Sequence, residues 1–280
     1  MTSGNCVDAR AVLVEPLVRR PSLFEQVTAY IQGALVVAEI EIRKLRHDPT
    51  ELFTRAVQPA LWLVVFGQAL SHIRAIPTGN IDYLTFMTPG ILAQSLMFIS
   101  IFYGLTIIWD RDQGILSKFL AMPVPRSSFV TGKALGAGVR ALSQAFVIFI
   151  LALLLGVKLH WSVLGVIGSL LTVVVGASFF ATVSFLVAIG LKTRERFMGF
   201  GQVITMPLFF ASNAIYPISI MPGWLQVISR VNPLTYIVDL LRGYLVTGST
   251  PGALLDWSLL LLALVIVQVI AGRTYHRVVL

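Results

Sequence analysis

The chain has 280 residues, of which 56% are hydrophobic and only 12% are charged, and its formal net charge is +8. Because soluble domains carry about 25% charged residues, this composition excludes an ordinary soluble domain and indicates an integral membrane protein. A single cysteine excludes an internal disulfide framework, and four scattered histidines offer no zinc-binding spacing, so we expect no metal site.

The first predicted element is an amphipathic helix ahead of the apolar runs. Its apolar residues recur at steps of three and four, at Phe24, Val27, Ile31, Leu35, Ala38, Ile42 and Leu45. The Asp48-Pro49 pair should end it. A charge-rich amphipathic helix before a span favours a position along the inner membrane surface, and packing on a partner protein is the alternative.

Six apolar stretches are long enough to span a bilayer. They lie at about 57–73, 85–109, 134–157, 162–190, 197–217 and 251–272. If both termini are cytoplasmic, 17 Lys and Arg residues fall inside and 4 outside, which is a strong positive-inside bias. The net charge therefore reports orientation, and no nucleic-acid partner is expected. We predict a cytoplasmic tail with its helix over 1–50 and a six-span domain over 51–277.

Between the second and third predicted spans lies a patterned polar segment. Over 110–122 the apolar residues fall mainly on one side, which predicts a short amphipathic helix across the cytoplasmic face. Gly114 permits a bend or close approach. Pro123 and Pro125 should stop the helix, and Ser127 or Ser128 should cap the next one. Such a rod can transmit a push to two spans, whereas the plainer alternative is a helix that only closes a connection.

The segment over about 218–247 is too polar and too rich in proline to span, yet too apolar for an ordinary outer loop. Short helices that dip into the outer leaflet fit this pattern, since irregular backbone at membrane depth must be buried in protein or line a cavity.

The chain lacks the residues that would let it work alone. No Asp, Glu or Lys lies in the middle of a predicted span, which argues against an ion-coupled pump. The Gly132-Lys133 pair has neither the upstream glycine nor the following hydroxyl of a phosphate-binding loop. No nucleophile–base motif or carboxylate pair indicates an enzyme. Any energy must therefore come from a partner.

Two motifs resemble those of the type-2 ABC exporter permeases, the group that includes daunorubicin-type drug, nodulation-factor and polysaccharide exporters. The first is an acid-Arg-acid-x-Gly start followed by a proline, a basic residue and a Gly-Lys pair, here Asp110-Arg111-Asp112-Gln113-Gly114, Pro123, Arg126 and Gly132-Lys133. The family usually has glutamates where this chain has the two aspartates. The second motif runs through Ala211, Ser212, Ala214, Met221-Pro222, Pro233-Leu234-Thr235-Tyr236 and Arg242.

The resemblance implies an all-α permease subunit in the cell membrane that moves a drug, lipid or glycan-type substrate out of the cytoplasm. Two permease chains, identical or different, would pair within membrane lipid above two separate ATPase subunits. ATP and magnesium would belong to those ATPases, so the chain itself would need no cofactor and would not be an enzyme.

The resemblance also implies roles for particular residues. The coupling helix at about 110–122 would contact the ATPase through Asp110, Arg111, Asp112, Gly114, Leu116 and Phe119. The substrate path would include Gln68, Gln94, Ser95, Gln202, Thr205 and Asn213, for which the alternative is hydrogen bonding between helices. The outer gate would comprise Pro233, Tyr236, Asp239 and Arg242, where Asp239 and Arg242 either pair or form a solvated face. The alternative functions are a membrane anchor for an ATPase that transports nothing, and an ion-coupled carrier.

Overall fold

The computed structural model describes residues 22–47, 50–73, 81–115, 125–191 and 193–274. The elements of these residues are helical. The α-helices are α1 (Leu23–His47), α2 (Thr50–Leu61), α3 (Gln68–Ile73), α4 (Tyr83–Tyr103), α5 (Leu105–Asp112), α6 (Arg126–Leu154), α7 (Val163–Gly190), α8 (Arg194–Phe210), α9 (Gly223–Val231), α10 (Pro233–Arg242) and α11 (Ala253–Thr274). Short π-helical turns occupy Trp62–Gly67 and Gly243–Thr247, and a 3-10 turn occupies Ile218–Ile220.

Within the described residues, four helices are long and apolar enough to cross a membrane. They are Tyr83–Asp112, Ser127–Leu154, Val163–Gly190 and Ala253–Thr274, and they match the second, third, fourth and sixth predicted spans. The first predicted span forms α2, a π-helical turn and α3, with a shorter apolar stretch at Ala56–Leu70. The fifth predicted span forms α8, which has 17 residues.

Helix α4 lies at the centre of the molecule. It packs against α6, α7, α8 and α10, and nearly all of its residues are buried. By contrast, Leu260 and Ala271 are the fully buried residues of α11, and many of its other apolar residues, such as Leu254, Leu262 and Val265, are exposed. An all-round apolar helix with an exposed surface is what a bilayer accommodates and water does not.

The N-terminal helix α1 forms as predicted and packs along α6. The N-terminal part of the predicted apolar stripe is not in contact, because Phe24, Val27, Ile31 and Leu35 are exposed, whereas Ala38 of the same stripe is buried. Small residues approach α6 instead, and Ala34 and Ala38 are buried. A Cβ on Gly132 of α6 would lie 2.6 Å from the Ala34 carbonyl oxygen, so the glycine permits this close crossing. The exposed stripe remains available to lipid.

The predicted rod over 110–122 is not one continuous helix. Residues 110–112 are the last turn of α5, which follows α4 at Gly104, and Gln113 and Gly114 form a turn. Gly114 has φ of +67°, a left-handed conformation that ends a helix. Leu116, Phe119 and Pro123 lie outside the described residues.

The start of α6 also differs from the prediction. Pro125 occupies the N-cap position, and no side chain caps the helix there. The Ser128 hydroxyl instead donates a hydrogen bond to the Pro125 carbonyl at 2.6 Å. Proline at this position sets the entry angle of the chain without a serine cap.

The outer segment consists of short helical pieces, as predicted. Helices α9 and α10 meet at Asn232, whose side-chain oxygen accepts a hydrogen bond from the Leu234 amide at 3.0 Å. Pro233 occupies the first turn of α10, where a missing N–H is tolerated. Helix α10 packs against α4, α7 and α11, with Leu234, Ile237 and Leu241 fully buried.

Candidate functional site

A cavity of about 330 Å³ lies beside α4 and opens at the surface, because its lining includes the exposed residues Thr54, Gln58 and Gln202. We call it the carboxamide chamber, and it is lined from α2, α4, α6 and α8 by Thr54, Gln58, Pro59, Gln94, Ser95, Phe98, Ile99, Phe102, Gln144, Gln202 and Met206. Four glutamines from four different helices therefore meet at one cavity, although they are far apart in sequence.

The four carboxamides differ in exposure. Gln94 and Gln144 are 2% and 1% exposed, whereas Gln58 and Gln202 are exposed at the surface. Both side-chain polar atoms of Gln94 are buried without a hydrogen-bond partner among the described residues. A buried amide group without a partner is destabilising by about 1–3 kcal/mol. Gln94 therefore presents an unused donor and an unused acceptor at the chamber.

Three of the six predicted path residues line the chamber, namely Gln94, Ser95 and Gln202. The other three do not line it. Gln68 is exposed on α3, the Thr205 hydroxyl donates to the Gln202 carbonyl at 3.3 Å, and Asn213 belongs to a different cluster. Sequence reasoning missed Thr54, Gln58 and Gln144, although a glutamine inside an apolar run was a usable signal for Gln144.

Four charged residues form a buried cluster where α1, α5 and α6 meet. This four-charge cluster comprises Glu41, Asp110, Lys133 and Arg140, each at most 6% exposed. The Lys133 ammonium donates to Glu41 at 2.7 Å and to Asp110 at 2.5 Å. Arg140 lies 3.5 Å from the second oxygen of Glu41. Sequence analysis singled out Asp110 and Lys133 separately, and their pairing with Glu41 was missed.

The four-charge cluster keeps Glu41 ionised. Burial by itself would raise the pKa of this carboxyl, but the Lys133 and Lys44 ammonium groups outweigh burial and lower the pKa from 4.5 to about 2. Lys44 lies 3.1 Å from Glu41 and 3.7 Å from Asp110. Two buried carboxylates are thus compensated by three basic side chains.

The remaining described residues of the first motif lie at the end of α5. Asp112 is exposed and pairs with Arg194 of α8 at 3.0 Å, while Arg111 lies 3.8 Å from Asp112. The Arg194 guanidinium also lies 5.7 Å from the Trp109 ring. The two aspartates therefore reach ion-pair partners despite being shorter than glutamates, and Asp112 ties α5 to α8.

The second motif builds a cluster around Arg242. This arginine cluster comprises Phe86, Asn213, Asp239 and Arg242. Arg242 donates to the Asn213 carbonyl at 2.8 Å, lies 3.7 Å from Asp239 and stacks 4.0 Å from the Phe86 ring centroid. The Asn213 side chain donates to Asp239 at 2.5 Å. Of the two alternatives for Asp239 and Arg242, pairing is confirmed, because the Arg242 side chain is only 14% exposed.

The other two predicted gate residues shape the backbone near this cluster. Pro233 begins α10, and the Tyr236 hydroxyl donates to the Arg230 carbonyl across the α9–α10 junction. Asn232 donates to the Leu208 carbonyl of α8 at 2.7 Å, which joins this junction to α8. The motif residues thus fix how the outer helices sit on α4 and α8.

Comparison with known proteins agrees with the motifs. The family model described as ABC-2 type transporter matches residues 33–246. The chain is 33% identical to the transport permease ycf38 of Cyanophora paradoxa, over 76% of this chain and 74% of that protein. It is 26% identical to the daunorubicin resistance ABC transporter permease protein DrrB1 of Streptomyces coeruleorubidus, over 68% of this chain and 67% of that protein. It is 25% identical to nodulation protein J of Rhizobium meliloti, over 66% of this chain and 70% of that protein.

Proposed function

Because the chain belongs to the ABC-2 type transporter family, we propose that it is the permease subunit of an ATP-driven exporter. It is a multi-pass membrane protein and a transport subunit, not itself an enzyme. Its proposed cargo is a drug, lipid or glycan-type molecule, because the relatives include a daunorubicin resistance permease and a nodulation protein. The proposed direction is out of the cytoplasm.

The carboxamide chamber is the observation that carries this proposal. The resemblance to exporter permeases implies a substrate path that includes Gln94, Ser95 and Gln202, and these three residues line one cavity. Its volume of about 330 Å³ lies within the usual range for small-molecule sites. A membrane anchor has no use for a cavity lined by glutamines from four helices, which disfavours the alternative that transports nothing.

The proposed assembly contains two permease chains and two ATPase subunits that supply ATP and magnesium chemistry. The six-span arrangement is part of the proposal, with α2–α3 and α8 as the first and fifth spans. Both termini would then be cytoplasmic in the cell membrane. The exposed apolar stripe of α1 would lie against lipid.

The contacts of α5 suggest how a push from the ATPase reaches the chamber. Helix α5 follows α4 at Gly104, and α4 carries Gln94 and Ser95. The four-charge cluster holds α5 against α1 and α6, and the Asp112–Arg194 ion pair holds it to α8. A displacement of the 110–122 segment would therefore move the helices that line the chamber as a group. At the opposite end of α4, the arginine cluster would serve as the outer gate.

We expect a separate ABC ATPase to purify with the tagged full chain, and we expect the isolated chain to bind no ATP. Leu116→Asp and Phe119→Asp should release the ATPase, because a charge would lie unpaired in an apolar contact. Lys118→Ala, in the same segment, should retain it. Mass spectrometry of the purified complex and ATP binding by the isolated chain provide the measurements. Tight ATP binding by the isolated chain would contradict the proposal.

A second expected result concerns the turn at Gly114. A β-branched residue at φ of +67° is strained by about 1–2 kcal/mol, so Gly114→Val should distort the end of α5. We expect this variant to insert normally while ATP-driven export per ATP hydrolysed falls severalfold. Gly114→Asn is the matched control, because asparagine adopts the left-handed conformation readily. If export per ATP hydrolysed is equal in the valine and asparagine variants, the left-handed turn at Gly114 plays no part in coupling.

A further inference from the structure

We propose that the carboxamide chamber selects an uncharged solute that both donates and accepts hydrogen bonds and presents one flat apolar face. This inference rests on the proposed function, since it names the substrate class of the same cavity. Among the residues whose side chains the structure describes, the lining combines polar and apolar side chains, and none of these is charged.

The hydrogen-bonding part of the proposal comes from the glutamines. A carboxamide offers two N–H donors and one acceptor oxygen. Both ends of the Gln94 side chain are buried and unused in the described residues, so a ligand that supplies a matching acceptor and donor would satisfy them. Ser95, whose hydroxyl already donates to the Ile91 carbonyl at 2.8 Å, keeps acceptor capacity for the same ligand.

The preference for an uncharged ligand follows from the nearby charged side chains, which are already paired with one another outside the chamber. Arg140 is one turn from Gln144 on α6, but it faces a separate cavity and lies 3.5 Å from Glu41. The ammonium of Lys133 is held by Glu41 and Asp110. At the buried side of the chamber, an ionised ligand would lose hydration without gaining a counter-ion from the described lining residues, which is strongly unfavourable. Carboxamide dipoles compensate a neutral polar ligand far better.

The apolar face of the ligand is matched by one wall of the chamber. The rings of Phe98 and Phe102 lie 6.2 Å apart and are tilted by 31° to each other. Ile99 and Met206 complete this wall. A planar ring or the carbon face of a sugar would pack on these side chains while its polar groups point to the glutamines.

The test uses two fluorescent probes that differ in the acetyl group on the sugar nitrogen, and therefore in charge. 4-Methylumbelliferyl N-acetyl-β-D-glucosaminide is neutral, and 4-methylumbelliferyl β-D-glucosaminide carries an ammonium group. Binding of each to the full chain in lipid nanodiscs is measured by fluorescence anisotropy. We expect the neutral probe to bind at least about tenfold more tightly.

Two variants assign this preference to the chamber. Gln94→Leu removes the buried carboxamide at similar volume and should weaken binding of the neutral probe by about tenfold. Gln202→Glu adds a carboxylate at the exposed side of the chamber and should shift the preference toward the ammonium probe. Because Gln202 is exposed, this variant stays informative even if Gln94→Leu folds poorly. Gln32→Glu, an equal change on the exposed surface of α1, should leave both affinities unchanged.

Three results would overturn the inference. They are equal or tighter binding of the ammonium probe, no binding of the neutral probe below about 1 mM, or a charge preference that Gln202→Glu leaves unchanged. Export is scored separately in vesicles that contain the ATPase. ATP-driven export of charged molecules alone would retain the proposed function and remove the inference. Preferential binding of the neutral probe without any ATP-driven export would retain the inference about the chamber and contradict the proposed function.

Discussion

Replacing Lys133 with methionine is expected to lower the free energy of unfolding by about 3–5 kcal/mol, because it removes one partner of a buried ion-pair network. The change leaves Glu41 and Asp110 with two negative charges inside the protein, where Lys133 now binds both at 2.7 and 2.5 Å. Methionine fills a similar volume, so lost packing contributes little. The measurement is thermal or denaturant unfolding of the purified chain in detergent.

The matched control for this variant is Arg43→Met. Arg43 pairs with Glu39 at 2.6 Å on the same helix as Glu41, but both side chains are more than half exposed. Exposed pairs contribute about 0–1 kcal/mol, so this variant should unfold almost like the original protein. Adding Asp110→Asn to Lys133→Met should recover much of the stability, because one negative charge is removed with the lost positive charge and Glu41 stays beside Arg140 and Lys44. A Lys133→Met protein as stable as the original would show that the cluster is not held by this lysine.

The shifted carboxyl of Glu41 adds a pH dependence to the same ion pairs. Its pKa falls from 4.5 to about 2 in the folded protein. The folded state therefore gains stability from Glu41 above about pH 4.5 and loses that contribution as the pH falls toward 2. In Lys133→Met the acid-labile part of the stability should shrink, because the group that lowers the pKa most is gone.

Replacing Gly90 with alanine is expected to destabilise the junction between α4 and the end of α8. A Cβ at this position would lie 2.7 Å from the carbonyl carbon of Ala214, and that neighbour is backbone, which cannot rotate away. Overpacking of this kind costs about 1–3 kcal/mol. The expected result is a lower unfolding temperature, together with a weaker arginine cluster, because Asn213 precedes Ala214.

Gly199→Ala is the control for this substitution. Both glycines lie inside helices, but a Cβ on Gly199 of α8 would meet no atom within 4 Å. Alanine there should raise stability by up to about 1 kcal/mol through helix propensity. If Gly90→Ala gained stability as Gly199→Ala does, the tight contact of α4 with the Ala211–Ala214 segment would not hold.

This close contact explains why the second motif contains small residues. Ala211 and Ala214 are buried, and Gly90 allows the backbone after α8 to lie directly on α4. The same logic explains the Gly-Lys pair of the first motif. Gly132 lets α1 cross α6 closely, and Lys133 then reaches Glu41 of α1. At the first motif Gly132, and beside the second motif Gly90, lets two segments approach closely next to the polar groups that join them.

The sequence by itself determined the class of the protein, the position of most helices and the two motifs. Apolar runs must be helical in a bilayer, because every backbone N–H and C=O needs a partner within the segment. The amphipathic period of α1, the proline before α6 and the proline at the start of α10 are likewise local signals. These features depend on residues close in the chain, so pattern alone was sufficient for them.

Only the tertiary structure decided which polar residues meet. Gln58, Gln94, Gln144 and Gln202 lie on four helices, and their convergence depends on how those helices rotate and cross. The same holds for Glu41, Asp110 and Lys133, which lie on three different helices and pair only because those helices pack together. Gly114 was a permitted bend in the sequence and became a left-handed helix end in the structure. Long-range packing chooses among locally equivalent options, because burial energies far exceed the local preferences of a few residues.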